Sequence, residues 1–179
     1  DCAINGAYFS TGQRCTASSR LIVTKGIYGK FVSSMRERLS SLVVDHALKT
    51  GTDIGPVVDE HQLQKNLDYI QIGVEEGATL AYGGERLSRD TPGFYMSPAL
   101  FIDTSSDMRI NREEIFGPVA SVIPAKDYDE ALAIANDTDL GLSSGIITTS
   151  LKHASHFKRN IQAGVAMVNA PTAGVDYHV

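Results

Sequence analysis

Short β-branched runs alternate with amphipathic stripes along this chain, and that alternation restricts its fold more than any other feature. Leu21-Ile22-Val23 is the core of the first run, bounded by Arg20 and Thr24 and stopped by Lys25-Gly26. It reads as a strand buried on both faces. Ile27, Phe31, Met35 and Leu39 follow at four-residue spacing with Val32 and Leu42 beside them, while Lys30, Arg36, Glu37 and Arg38 fill the other side. This predicts a helix whose charges face water. Leu63, Leu67, Ile70 and Val74 trace a second stripe, opened by a capping Asp59 and closed by Gly77. Tyr128, Ala131, Leu132 and Ala135 trace a third after Asp127, and Leu151, Ala154, Phe157, Lys158 and Ile161 a fourth. Strands are expected at 79–82, at 119–123 closed by Pro124, at 144–148, and at 165–168 as a buried strand. Residues 95–102 are extended, with Pro98 keeping them from forming a regular central strand. Residues 45–58 read as a surface loop. The expectation is an α/β fold of three αβα layers, a mostly parallel sheet with helices on both faces.

At 179 residues the chain is one domain, or one and a fraction. Its net charge of -5 comes from 16 basic and 21 acidic residues spread along the sequence, without a basic stripe to neutralise phosphates. Nucleic acid is therefore not an expected partner. No apolar run approaches the ~18 to 20 residues of a membrane span, and Asp1 to Asn5 lack a signal-peptide pattern, so a soluble protein is expected. Two cysteines, Cys2 and Cys15, make no disulfide framework, and a free thiol fits a reducing, cytoplasmic setting. The five histidines show no metal-ligand spacing beyond His153 and His156, a pair lacking a third ligand, so no metal is expected. The chain opens without methionine on what reads as mid-helix, as an excised piece would.

Two stretches carry chemistry. In Phe9-Ser10-Thr11-Gly12-Gln13-Arg14-Cys15-Thr16, a glycine just ahead of a cysteine lets the backbone bend sharply and present the sulfur beside backbone N–H groups. That suits a nucleophile, although a free cysteine also serves as a small buried hydrophobe. About a hundred residues later comes Glu113-Glu114-Ile115-Phe116-Gly117-Pro118-Val119.

Together these stretches resemble the aldehyde dehydrogenase superfamily, and the resemblance runs from end to end of the chain. It implies that Cys15 is the catalytic nucleophile and that Glu114 and Phe116 hold the nicotinamide end of NAD or NADP. The segment 55–65 is similar to the family stretch whose glutamine and lysine reach the nicotinamide-side ribose, here Gln62 and Lys65. Two ordinary polar residues on an exposed helix face are the other reading of that pair. By the same resemblance Phe9 lines the aldehyde tunnel, and Thr16 stands next to the nucleophile; a core aromatic and a structural threonine are the alternatives. Cys2 lacks a turn glycine and reads as structural. The chemistry implied is attack of a thiolate on an aldehyde, hydride transfer to the nicotinamide and hydrolysis of the remaining thioester.

The resemblance also implies that residues 1–179 are a catalytic-domain fragment. The family's general-base glutamate, oxyanion asparagine and N-terminal Rossmann cofactor domain are absent, as is its C-terminal oligomerisation segment. The fragment is expected to be inactive alone, with a parent that is a homodimer or homotetramer. The ending, Asn169 to Val179, looks like the substrate loop of the α-ketoglutaric semialdehyde dehydrogenases, which makes Arg14 a candidate partner for a substrate carboxylate, with a surface or structural arginine as the other reading. A CoA-acylating relative and a non-catalytic α/β interaction domain remain as other readings.

Overall fold

The computed structural model describes residues 1–172. Strands β1 (Arg20–Thr24), β6 (Val119–Ala125), β5 (Ala99–Ile102) and β2 (Thr79–Tyr82) lie side by side in that order as a central sheet. β6 is parallel to both of its neighbours, and β2 is antiparallel to β5. Successive side chains of a strand point to opposite faces, and here that divides the interior in two. Leu100 of β5 and Ala120 and Val122 of β6 join one core with Tyr8, Met35 and Leu39. Ala99 and Phe101 of β5 and Val119 of β6 join the other with Leu63, Ile70 and Ile110. Helices α1 (Cys2–Tyr8) and α2 (Tyr28–Ser40) supply the first core, and α3 (Glu60–Glu75) and α4 (Arg109–Arg112) the second. These are the three layers expected, around a mostly parallel sheet.

Around this centre, β3 (Arg86–Leu87) and β4 (Tyr95–Met96) form a short antiparallel ribbon. Helix α5 (Tyr128–Asn136) lies against β1 and β6. β7 (Ser143–Ile146) and β8 (Val165–Val168) pair in parallel across the intervening α6 (Leu151–Asn160), giving a βαβ unit. Three helix starts are capped by side chains: Asp59 accepts from the Gln62 N–H at 2.7 Å, Asp127 from Glu130 at 3.0 Å and Ser150 from His153 at 3.2 Å. Each satisfies one of the orphan donors of a first helical turn. Tyr8 is fully buried and its hydroxyl donates to the Ala99 carbonyl at 3.0 Å, tying α1 to the sheet; burial pushes its phenol pKa up.

Several expectations need correcting. β1 is not buried on both faces: Leu21 and Val23 are buried, but Arg20, Ile22 and Thr24 are only half-buried. It lies at the edge of the sheet, beside an α5 that buries none of its own residues fully. β8 is half-buried throughout for a related reason, having one strand partner. Residues 45–58 are more than a surface loop, because Ile54 and Val57 are buried and bridge to Val44 and Phe94. Pro98 does break the extended segment, yet the part beyond it, β5, is a central strand. β6 runs on through Pro124: the Ser121 N–H faces β1, so by the two-residue period residue 124 faces the other side, past the end of β5. There the missing donor of proline costs no ladder hydrogen bond. The apolar stripes are also narrower than their periodicity suggests. Ile27 precedes α2 and is exposed, Val74 is exposed at the end of α3, and of α6 only Phe157 is buried while Leu151 is 81% exposed.

Asp59→Ala removes the cap of the longest helix and is expected to cost about 1 kcal/mol. Urea denaturation should show a lower midpoint with an unchanged slope.

Candidate active site

The cysteine loop leaves α1 through a turn of unusual hand. Ser10, Thr11 and Gly12 all have positive φ, at 55°, 59° and 64°, so three successive residues form one left-handed turn. For residues with a Cβ this costs roughly 1–2 kcal/mol each, and for a β-branched threonine it is a marked outlier. Tertiary contacts hold the turn. Thr11 is buried and its hydroxyl donates to the carbonyls of Gly55 at 3.2 Å and Pro56 at 3.4 Å. Gln13 accepts from the Val58 N–H at 3.0 Å. Gly12 lies so close to the Gly117 carbonyl that a Cβ at position 12 would stand 2.2 Å from that oxygen. The two motifs, a hundred residues apart in sequence, therefore touch backbone to backbone.

The second motif is held by one face of α3. Gln62, Lys65, Asn66 and Tyr69 stand at i, i+3, i+4 and i+7, the spacing that places side chains on one side of a helix. The Gln62 amide donates to the Ile115 carbonyl at 2.8 Å, the Phe116 carbonyl at 3.1 Å and Asn66 Oδ1 at 2.8 Å. Lys65 Nζ donates to the Glu114 carbonyl at 2.9 Å, and the Tyr69 hydroxyl to Glu113 Oε2 at 2.6 Å. Asn66, fully buried, directs its amide nitrogen at Met96 Sδ and lies where a Cβ of Gly117 would go, 2.3 to 2.5 Å from its terminal atoms. Phe116 is in the left-handed region at φ 62°, a strained setting for a bulky residue, and its carbonyl is one that Gln62 holds.

Cys15 emerges from this assembly exposed, and both cysteines are free thiols. Among the described residues, the backbone N–H groups of Arg14, Cys15 and Thr16 donate to no carbonyl or side chain. The Glu114 side chain is likewise exposed and, among the described residues, without a hydrogen-bond or ion-pair partner. Gln62 and Lys65 are thus not idle polar residues on an exposed face: both are half-buried and bound to the second motif. Among the described residues, Lys65 uses one of its three donors and the Gln62 carbonyl oxygen accepts no hydrogen bond.

The remaining candidates sit elsewhere in the loop's surroundings. Arg14 turns back on α1, donating to the Asn5 carbonyl at 2.6 Å, with a buried Nε that has no partner and a guanidinium pKa lowered by burial. Phe9 packs half-buried against the core that contains Tyr8, and Thr16 is half-buried with its carbonyl 3.5 Å from Ser143 Oγ. Cys2 is half-buried in α1. Of the substrate-loop segment, residues 173–179 lie outside the described residues; Thr172 is buried and hydrogen-bonded to Ser18 at 2.7 Å. Sequence reasoning missed Asn66, Tyr69, Thr11 and Gln13. The i, i+3, i+4, i+7 polar set on α3 was a readable signal; the partners of Thr11 and Gln13, some forty-five residues away, left none.

These features define an α/β domain that presents an exposed thiol from a left-handed turn, beside a loop clamped by a helix face. The model of the aldehyde dehydrogenase family matches residues 1–179, and the chain belongs to that family. It is 42% identical over 174 residues to the 2,5-dioxopentanoate dehydrogenase of Saccharolobus solfataricus, covering 97% of this chain and 36% of that protein. It is 44% identical over 182 residues to the alpha-ketoglutarate semialdehyde dehydrogenase of Haloferax volcanii, covering 100% and 37%. Among solved structures, a 1-pyrroline-5-carboxylate dehydrogenase superposes with a TM-score of 0.94 at 38% identity, over 99% of this chain and 34% of that one. A betaine aldehyde dehydrogenase from Staphylococcus aureus in complex with NAD+ gives 0.92 at 32% identity, over 95% and 34%. The chain spans little more than a third of the length of the curated relatives it matches.

Gly117→Ala is expected to destabilise the fold by roughly 1–3 kcal/mol, since the added methyl meets Asn66. In an Asn66→Ala background the same change should cost less than about half as much. A double-mutant cycle by urea denaturation checks this; simple additivity would mean that Asn66 is not the obstacle.

Proposed function

We propose that this chain is the thiol-bearing catalytic domain of an NAD(P)-dependent aldehyde dehydrogenase whose substrate is a keto-acid semialdehyde, α-ketoglutaric semialdehyde. The observation that carries this reading is the placement of an exposed Cys15 on a strained turn that rests against Gly117 of the Glu-Glu-Ile-Phe-Gly-Pro loop. Strain of that kind persists only where the surroundings over-determine it, and it clusters at functional sites. The substrate class is supported by the activities for which the relatives from Saccharolobus solfataricus and Haloferax volcanii are named.

In this reading the Cys15 sulfur, as thiolate, adds to the aldehyde carbon, and the carbonyl oxygen becomes an oxyanion. The free Cys15 N–H is a donor for that oxygen, and a single such donor contributes on the order of 2.7 to 4 kcal/mol in a well-formed hole. NAD(P), when bound, would supply the acceptor for the hydride that the tetrahedral adduct releases. The residues present fit such a group. The unpartnered Glu114 carboxylate can accept from vicinal ribose hydroxyls, and Lys65 and Gln62 retain a free donor set and a free acceptor beside it. Water then hydrolyses the thioester on Cys15. Arg14, bound to the Asn5 carbonyl, braces the nucleophile loop, and its remaining guanidinium donors leave it a candidate partner for a substrate carboxylate.

In the purified chain, iodoacetamide should label Cys15 rapidly and Cys2 slowly, with Cys15→Ser removing the fast phase and unfolding equalising the two. In a dehydrogenase carrying this chain, Cys15→Ser should lower aldehyde oxidation by at least about 10³-fold while dinucleotide binding persists. Oxidation that survives the substitution would refute the proposal.

A further inference from the structure

The two adjacent glutamates of the second motif are used differently. The Glu113 carboxylate is fully engaged: Arg109 Nε donates to Oε1 at 2.9 Å, Arg109 Nη2 to Oε2 at 3.0 Å and the Tyr69 hydroxyl to Oε2 at 2.6 Å. The Glu113 N–H donates to the Arg109 carbonyl at 2.8 Å, so backbone and side chain of residue 113 are both fastened to α4. The Arg109 guanidinium also stands 6.0 Å from the centre of the Tyr69 ring, within cation–π range, and the backbone N–H of Arg109 donates to Glu76 Oε2 at 2.8 Å. Glu114, one residue on, has its carbonyl held by Lys65, and its carboxylate has no partner among the described residues. A bidentate arginine fixes a carboxylate in direction as well as position.

From this we infer that Tyr69 and Arg109 are positioning residues for cofactor binding: by clasping Glu113 they fix the backbone from which Glu114 projects. The inference rests on the proposed dehydrogenase reading. Among the described residues, Tyr69 and Arg109 make no hydrogen bond to the cysteine loop or to residues 55–58, and Gln62 and Asn66 hold the Gly117 end separately. The effect of Tyr69 and Arg109 therefore falls first on the start of the loop, from which Glu114 projects. The clasp sets the start of the loop, and Gln62 sets its end at Ile115 and Phe116. Loss of the Tyr69 hydroxyl leaves Glu113 Oε2 with Arg109 alone; loss of the guanidinium leaves the carboxylate with Tyr69 alone and residue 113 held otherwise only through its N–H.

The test has two readouts. In the purified chain, Tyr69→Phe and Arg109→Met should speed amide hydrogen exchange several-fold at residues 109 and 113, whose N–H groups are hydrogen-bonded, and leave exchange in β5 and β6 and iodoacetamide labelling of Cys15 unchanged. In a dehydrogenase carrying this chain, both variants should raise the dissociation constant of the dinucleotide, read by NADH fluorescence, about 5- to 10-fold. The KM for aldehyde should stay within twofold, and Arg109→Lys, which keeps charge but not the fork, should fall between wild type and Arg109→Met. Unchanged dinucleotide affinity, or exchange that rises equally throughout the domain, would overturn the inference. A wild-type protein that binds no dinucleotide would instead sink the functional reading on which it rests.

Discussion

The structure depends on how one face of α3 reads the backbone of residues 113–117. A loop with a phenylalanine at positive φ has no reason to hold its shape alone, and its carbonyls must find donors if they are to leave water. Gln62 and Lys65 supply donors to three consecutive carbonyls, Tyr69 fastens the side chain that precedes them, and Asn66 takes the space that a side chain at 117 would need. The match runs in opposite senses along the two segments, with Tyr69 at the loop's start and Gln62 at its end. Because α3 is itself anchored through Leu63 and Ile70 in the core beneath β5 and β6, the loop inherits the rigidity of the sheet. The Gly117 carbonyl then becomes the surface on which Gly12 rests.

Strain and support are paired on both sides of that contact. Ser10 and Thr11 on one side and Phe116 on the other hold left-handed conformations, and each lies at or next to a hydrogen bond with the 55–66 segment, donated by the Thr11 hydroxyl to Gly55 and by Gln62 to Phe116. That middle segment, outside both motifs, is what couples them. It also explains why residues 54 and 57 are buried although nothing periodic marks them: the loop between α2 and α3 has to pass under the cysteine turn to reach it.

Much of this was legible in the chain. The alternation of runs and stripes gave the layered class, Asp59 and Asp127 marked their helices, and the wording around Cys15 and Glu114 singled out both motifs. What was not legible shares one physical cause. Periodicity reports which residues share a face, not whether another element arrives to cover it, so Leu151 and Ile27 looked like core and are exposed. The same limit made β1 read as doubly buried when it forms the edge of the sheet. Gln62 and Lys65 were open between two readings, because only the fold reveals that their partners are backbone carbonyls fifty residues away. The resemblance separated Glu114 from Glu113 but left Glu113 without a role, because no local pattern connects it to the side chains of Tyr69 and Arg109.

The contact of Gly12 with Gly117 bears on when the site comes into being. Its closest supports join residue 11 to 55, 13 to 58, 62 to 116 and 12 to 117, all distant in sequence. Contacts of such separation require the closure of long loops before they return any stabilisation, and they form late relative to helices and turns. The environment of the Cys15 thiol is therefore a product of the whole domain's folding and not of the eight residues around it. During refolding, helical structure would return well before the sulfur acquires its native surroundings, and a nascent chain carries an ordinary cysteine until residue 117 has docked.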